Sequence, residues 1–157
     1  MKRSFTLLSA ALLLVASLFA TSVSAQSNRS FITGAIENWG ECRNVAITMT
    51  KGNIALYDEN GCACDNVPTD LYNVLLQLNA EQVYIDDVQI SEAGSWLVLY
   101  GTNGMLYRGL DEDLVAAMTD FNAAGEVINA VTFNDLGDWV VISSDHIMAS
   151  NSQLQEW

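Results

Sequence analysis

Few side chains in this sequence have the chemistry of a nucleophile, a base or a metal ligand. His146 is the only histidine, and no Gly-x-Ser-x-Gly sequence occurs, so a serine nucleophile with a histidine partner is not indicated. Cys42, Cys62 and Cys64 would need His146 as a base or as a fourth ligand. That histidine lies far along the chain, at a spacing that fits no standard zinc module. The sequence therefore predicts no catalytic residue, no metal site and no cofactor.

Acidic residues are far more numerous than these cysteines and the histidine. The chain has 19 Asp and Glu against 6 Lys and Arg, for a net charge of −13, which would repel nucleic acid and anionic lipid. A glycosidase needs two carboxyl groups about 5–9 Å apart in a cleft. The turns at Asp111–Asp113 and Asp135–Asp138 hold the acids that would serve such an enzyme. Solvation and helix capping explain the same acids without catalysis.

Four aromatic residues form a candidate binding set. Trp96 and Trp139 recur at one position of a repeat, with Tyr100 and Tyr107 nearby. If exposed in a row, they would stack on sugars or form an apolar patch for a partner protein. Tryptophans at a repeated position also commonly pack between units, and the sequence leaves both roles open.

Three valines define that repeat. Val45, Val88 and Val131 are spaced by 43 residues, and the flanking sequences keep the same frame. A fixed period of this length indicates tandem supersecondary units that complete each other's core. We place the units at about 44–86, 87–129 and 130–157.

Within a unit, the hydrophobic pattern predicts three strands and then a helix. An alternating strand comes first, and a strand that is apolar on both faces follows, such as Trp96–Tyr100. An Asn-Gly pair then predicts a two-residue hairpin in the first two units. The helices carry apolar stripes at i, i+4 and i+7. The stripe residues are Leu71, Leu75, Leu78, Leu114, Met118 and Phe121.

These units predict an α+β fold of nearly three tandem β-β-β-α units. The antiparallel sheets would be curved or propeller-like, with two helices packed on one side. We expect Phe31–Ile36 to add a capping strand, and the third unit to have two strands and no helix of its own. A closed propeller is not expected, because it usually takes at least four blades.

The N-terminus has the pattern of a secretory signal peptide. Lys2 and Arg3 precede a short apolar stretch, and Val23 and Ala25 stand at −3 and −1 of a cleavage site. We therefore predict a signal peptide over residues 1–25 and a single repeat domain over 26–157. The protein would be exported, to the periplasm or the extracellular space, with no integral membrane association after cleavage.

Export also permits a disulfide bond. Cys62 and Cys64 would share one face of a strand, where a bond between them would be strained. The sequence leaves two alternatives, a bond from Cys42 to one of them or three free thiols.

The sequence Gly94–Gly104, with its Gly-x-Trp strand start and Asn-Gly hairpin, resembles a tandem repeat of uncharacterised exported bacterial proteins. The resemblance covers about Asn44 to Ala149 and implies a propeller-like blade with an inserted helix. It implies no particular activity. The first unit departs from the pattern, because Asn53 stands where Trp96 and Trp139 stand in the others.

Together these features predict an exported acidic repeat domain that acts as a binding or assembly module. The partner would be a protein or a carbohydrate, and no catalysis is expected. The alternative is a secreted, glycosidase-like hydrolase that uses paired carboxylates.

Overall fold

The structure is a computed structural model that describes residues 29–50 and 52–151. The predicted signal peptide, residues 1–25, lies outside the described residues. Three helices and nine strands follow one another along the described chain. They are α1 (29–39), β1 (Asn44–Ile47), β2 (Asn53–Tyr57), β3 (Gly61–Asp65), α2 (Thr69–Ala80), β4 (Ile85–Ile90), β5 (Trp96–Tyr100), β6 (Gly104–Arg108), α3 (Glu112–Ala124), β7 (Ile128–Phe133), β8 (Trp139–Ser143) and β9 (Ile147–Ala149).

The nine strands form three antiparallel sheets, each made from three consecutive strands. The orders are β1-β2-β3, β4-β5-β6 and β7-β8-β9. The repeat valines keep one register, because Val45, Val88 and Val131 pair with the residues ten positions further on in each unit, Ala55, Val98 and Val141. The predicted α+β class and the repeat are therefore confirmed, as three open sheets.

Helices fill the space between successive sheets. One core contains Leu71, Leu75 and Leu78 of α2, and the other contains Leu114, Met118 and Phe121 of α3, so the predicted stripes are buried. Asp111 caps α3 by accepting a hydrogen bond from Asp113 N, and Gly125 ends it in the left-handed conformation.

Strand β5 shows how the layers share their cores. Trp96 and Val98 on one of its faces belong to the core with α2, while Leu97 and Leu99 on the other face belong to the core with α3. The strand is thus covered on both sides, as its apolar sequence predicts. Each core is built from two neighbouring units.

The predicted capping strand at Phe31–Ile36 is wrong, because residues 29–39 form helix α1. A short apolar run suits a strand or a buried helix equally well. The repeat frame resolves the ambiguity: Ile32 and Ala35 stand 43 residues before Leu75 and Leu78 of α2. The described chain is therefore three α-β-β-β units, with three helices where the sequence pattern indicated two.

The hairpins also differ from the prediction. Tyr57 pairs with Gly61 and Tyr100 with Gly104, which leaves three-residue turns in place of two-residue ones. A Cβ on Gly104 would lie 2.6 Å from the Tyr100 ring, so this position requires glycine. The third unit has a complete sheet, because residues 147–149 form the strand β9 that the sequence pattern did not indicate.

Strand β1 alternates as predicted, but its larger side chains point away from the core. Ala46 and Thr48 are buried, whereas Val45, Ile47 and Met49 are exposed. In β4 the equivalent residue Val88 is buried, because a preceding unit covers it. The exposure of β1 follows from its place in the first sheet.

Candidate binding cleft between the second and third units

A cleft of about 300 Å³ lies where the turn between β7 and β8 meets the start of α3. We call it the junction cleft. Its walls combine acidic, amide, hydroxyl and aromatic side chains. The polar and aromatic lining residues include Ser95, Asp111, Asn134, Asp135, Asp138 and Trp139.

Hydrogen bonds within the protein hold the acids of the cleft in place. Asp135 Oδ2 accepts from Ala93 N at 3.0 Å, and Asp111 Oδ1 accepts from Asp113 N at 2.9 Å. Asp138 accepts from Asn134 Nδ2 at 3.1 Å and from Asn151 Nδ2 at 3.2 Å. The carboxylates are therefore fixed by neutral donors, and their negative charge is directed toward the cleft without a cationic partner in the described ranges.

The predicted tryptophan pair does not form an exposed platform. Trp96 is 4% exposed and Trp139 is 6% exposed, and they belong to the two different cores. Of the two roles left open by the sequence, packing between units is the one that the structure shows. Trp139 is also one of the residues that line the junction cleft.

The junction between the first and second units contains an arginine side chain. Arg108 pairs with Asp70 at 2.6 Å and donates to Gly94 O at 3.2 Å. The Trp96 indole N–H donates to the same Asp70 carboxylate at 3.2 Å. The Asp70 carboxylate thus accepts from both the guanidinium of Arg108 and the indole N–H of Trp96.

In the third unit, no arginine within the described residues stands at the position of Arg108. Arg108 is the strand partner of Trp96, and the residue beside Trp139 in the same register is Ser150, whose hydroxyl accepts from Trp139 N at 3.0 Å. Across residues 29–50 and 52–151, no acceptor is bonded to the Trp139 indole N–H. The second junction therefore differs from the first in having a serine at the strand position of the arginine.

The other sequence-predicted residues lie away from this cleft. Tyr107 is exposed on β6 and Tyr100 packs over Gly104, and a binding role for either stays a prediction. His146 is exposed and pairs with Glu126 at 2.8 Å. The two residues by which the junctions differ, Arg108 and Ser150, were not predicted from the sequence. Only a comparison of strand partners across the repeats could have found them.

Cys42, Cys62 and Cys64 are free thiols in this structure. Cys62 and Cys64 project from β3 toward the core with α2. Burial raises the pKa of the Cys62 thiol to about 11 and also raises the pKa of Cys64. Both thiols are therefore protonated at neutral pH, which makes them poor nucleophiles.

Two further observations concern only the part of the chain that the structure describes. Its His, Cys, Asp and Glu residues form no group of three or more arranged to hold a metal ion. None of its helices is both long enough and apolar enough to cross a membrane.

Comparison of this chain with models of protein families, with curated proteins and with solved structures finds no match.

Proposed function

We propose that this protein is a binding module that takes a basic side chain of a partner polypeptide into the junction cleft. The observation that supports the proposal is the contrast between the two junctions. At the first, the Arg108 guanidinium pairs with Asp70, and the second presents acids with a serine where the arginine would stand. A guanidinium from another chain would occupy the equivalent place.

The charge of the cleft favours the same class of ligand. Asp111, Asp135 and Asp138 face a common space, and the whole chain carries a net charge of −13. This field attracts cationic segments and speeds their encounter with the protein. Exposed ion pairs are individually weak, so we expect a dissociation constant on the order of 1 mM or moderately tighter for a single arginine.

The indole of Trp139 favours a peptide over a simple amine. Its N–H needs an acceptor, which a guanidinium does not provide. The carbonyl oxygens of a peptide backbone provide one next to the basic side chain. A peptide therefore satisfies both the acids and the indole, as Asp70 and Arg108 do at the first junction.

The test uses a blocked tripeptide, acetyl-Gly-Arg-Gly-amide, titrated into the purified protein and followed by the indole N–H resonances. We expect the Trp139 resonance to shift in a saturable way, and the same peptide with citrulline to give no saturation. A Trp139→Phe variant assigns the resonance.

Two reciprocal substitutions sharpen this test. Ser150→Arg should place an internal guanidinium in the junction cleft and abolish peptide binding. Arg108→Ser should open the first junction and raise the stoichiometry from one site to two. If Ser150→Arg binds the peptide as the original protein does, the proposal is wrong.

The alternative function is hydrolysis of glycosides by carboxylates of the same cleft. It is favoured by one observation, that Asp111, Asp135 and Asp138 line a single space. Turnover of aryl glycosides that is lost in both Asp135→Asn and Asp138→Asn would establish it. Saturable binding of a neutral oligosaccharide, with no response to the arginine peptide, would instead identify a glycan-binding module.

Export of the chain is a separate part of the proposal. We expect signal peptidase to cut after Ala25, so the N-terminal residue of the secreted form would be Gln26. Intact-mass measurement of the periplasmic and medium fractions checks this. Recovery of the full-length chain in the cytoplasm alone would contradict it.

A further inference from the structure

The two internal junctions share a second polar contact, between an acidic side chain of one unit and the backbone of the unit before it. The Glu92 carboxylate accepts from Thr50 N at 3.0 Å and from Thr50 Oγ1 at 2.7 Å, and also accepts from Met49 N. Asp135 stands 43 residues after Glu92 and accepts from Ala93 N, the equivalent of Thr50 N. An acid of each later unit thus binds the backbone of the unit before it.

The same two positions are apolar at the ends of the stack. In the first unit, Met49 occupies the position of Glu92 and Asp135, and it is 66% exposed. In the third unit, Leu136 occupies the position of Thr50 and Ala93, and it is 89% exposed. These are the two most exposed large apolar side chains among the described residues. Met49 and Leu136 stand at the two positions that contact each other at the internal junctions. If another unit followed the third, its residue equivalent to Met49 would therefore contact Leu136.

Within the described part of the chain, the outer face of the last sheet also carries exposed apolar side chains. Ile142 and Ile147 pair across β8 and β9 on the face opposite Val141 and Met148, and both are exposed. In the second unit, the equivalent face carries Leu97 and Leu99 and is covered by α3 and the third sheet. No described residue covers it in the third unit.

At the N-terminal end of the described stack, α1 and β1 correspond to the helix and the strand that cover the preceding sheet at each internal junction. Helix α1 corresponds in the frame to α2 and α3, and Ile36 on it is exposed. Val45 and Ile47 of β1 are exposed at the positions where β4 carries the buried Val88. The first unit therefore presents a helix and a strand that fit the outer face of a preceding sheet.

We propose that the protein associates head to tail with a second copy, so that α1 and β1 of one copy cover the outer face of β8 and β9 of the next. The contact continues the layering that already joins the three units within one chain. Leu136 of one copy and Met49 of its neighbour replace the acid-to-backbone contact of the internal junctions. A heterologous contact of this kind builds open stacks or rings rather than two-fold dimers.

Sedimentation velocity over a range of protein concentrations tests association. We expect species larger than the monomer that increase with concentration. They should also increase with salt, because salt screens the repulsion between chains of net charge −13. Ile142→Lys should lower the association constant by about tenfold or more, as for a buried interface residue. Leu76→Lys is the matched control, since Leu76 is exposed on α2 and lies on neither end.

A complementation experiment establishes the polarity of the contact. Ile142→Lys blocks the tail and Met49→Lys blocks the head, so each variant alone should be monomeric. An equimolar mixture retains one intact head and one intact tail, and should form a dimer and nothing larger. A two-fold interface would give no such rescue, and a mixture that stays monomeric overturns the proposal.

Met49→Glu distinguishes association through the repeat geometry from non-specific hydrophobic association. A carboxylate at this position reproduces Glu92 and Asp135, and can accept from the backbone N–H of Leu136 in the next copy. We therefore expect Met49→Glu to associate at least as well as the original protein and Met49→Lys to associate poorly. Equal loss in both variants would refute the arrangement.

The segment 152–157 is the competing occupant of the outer face, because it follows β9 and contains Leu154 and Trp157. If the full chain is monomeric at every concentration and salt, and only a chain ending at Asn151 assembles, the segment covers the face and the proposal is overturned. Failure of the arginine peptide to bind has no bearing on this result. The peptide titration measures binding at the junction cleft, whereas sedimentation measures association through the two ends of the stack.

Discussion

Asp135 in the third unit accepts a hydrogen bond from the backbone N–H of Ala93 in the second, at 3.0 Å. This bond repeats, 43 residues later, the contact that the Glu92 carboxylate makes with Thr50. Two different acids thus hold neighbouring sheets by the same backbone position. The later unit must supply an acidic side chain at this position. The earlier unit supplies only a backbone N–H, so its own side chain can be threonine or alanine.

Loss of the Glu92 contact should destabilise the protein modestly. The hydrogen bond from Thr50 lowers the pKa of Glu92, so its stabilising effect is present above the carboxyl's ordinary pKa and is lost as pH falls through the lowered one. Because Glu92 is exposed, we expect Glu92→Gln to cost only about 0.5–1 kcal/mol at neutral pH. Urea unfolding at pH 7 and at pH 3 measures the difference, which should shrink at pH 3. Asp120→Asn, on the exposed side of α3, should show neither effect.

Asp87 should show the opposite dependence on pH. Burial raises its pKa, even though it accepts hydrogen bonds from Gln89 and Asn44. A raised pKa means that its contribution to stability is greatest below the ordinary carboxyl range and is lost as pH rises through the raised value. We expect Asp87→Asn to be relatively more stable at pH 7 than at pH 4, when each is compared with the original protein. An unchanged difference between the two pH values would show that Asp87 is solvated.

Two neighbouring leucines of α2 should contribute very differently to the free energy of unfolding. Leu75 is fully buried and Leu76 is 47% exposed. We expect Leu75→Ala to cost about 2–5 kcal/mol, because it leaves a cavity between the first two sheets. Leu76→Ala should change the free energy of unfolding by less than about 0.5 kcal/mol. Similar losses in both variants would show that α2 is rotated from the position described.

The thiols offer a chemical test of the first sheet. Since burial raises the pKa of Cys62 to about 11, we expect its reaction with a disulfide reagent to be slow at pH 8 and to accelerate steadily toward pH 11. In urea, all three cysteines should react quickly. A count of one thiol in the secreted, unfolded protein would mean that Cys42 has formed a disulfide after export.

The sequence predicts those parts of the fold that depend on periodicity. The stripes of α2 and α3, the strand β5 that is apolar on both faces and the cap at Gly125 follow from local rules that tertiary contacts reinforce. Helix α1 does not follow, because Phe31–Ile36 is too short for its period to distinguish helix from strand. Strand β9 is similarly short, with three residues that have no strong alternation.

The junction cleft illustrates what sequence reasoning lacks. Trp96 and Trp139 stand in the same frame and both are buried, so their types give no sign that one junction is open. The difference lies in Arg108 and Ser150. These two are equivalent only through strand pairing, because the third hairpin is one residue shorter than the second. A one-residue shift of register conceals the correspondence from an ungapped alignment.

The open stacking of the sheets has a consequence for how such a chain can change in length. A closed ring of blades fixes its number of units by the angle between them, whereas a stack with free ends imposes no such condition. Duplication of one whole 43-residue block, such as 69–111, would preserve the alternation of helix and sheet and the register of every strand. An insertion within a helix or strand would displace its apolar face, whereas a turn can change in length, as the shorter third hairpin shows. We therefore expect variation in this architecture to come in whole layers, with the end positions, rather than the internal ones, free to acquire new side chains.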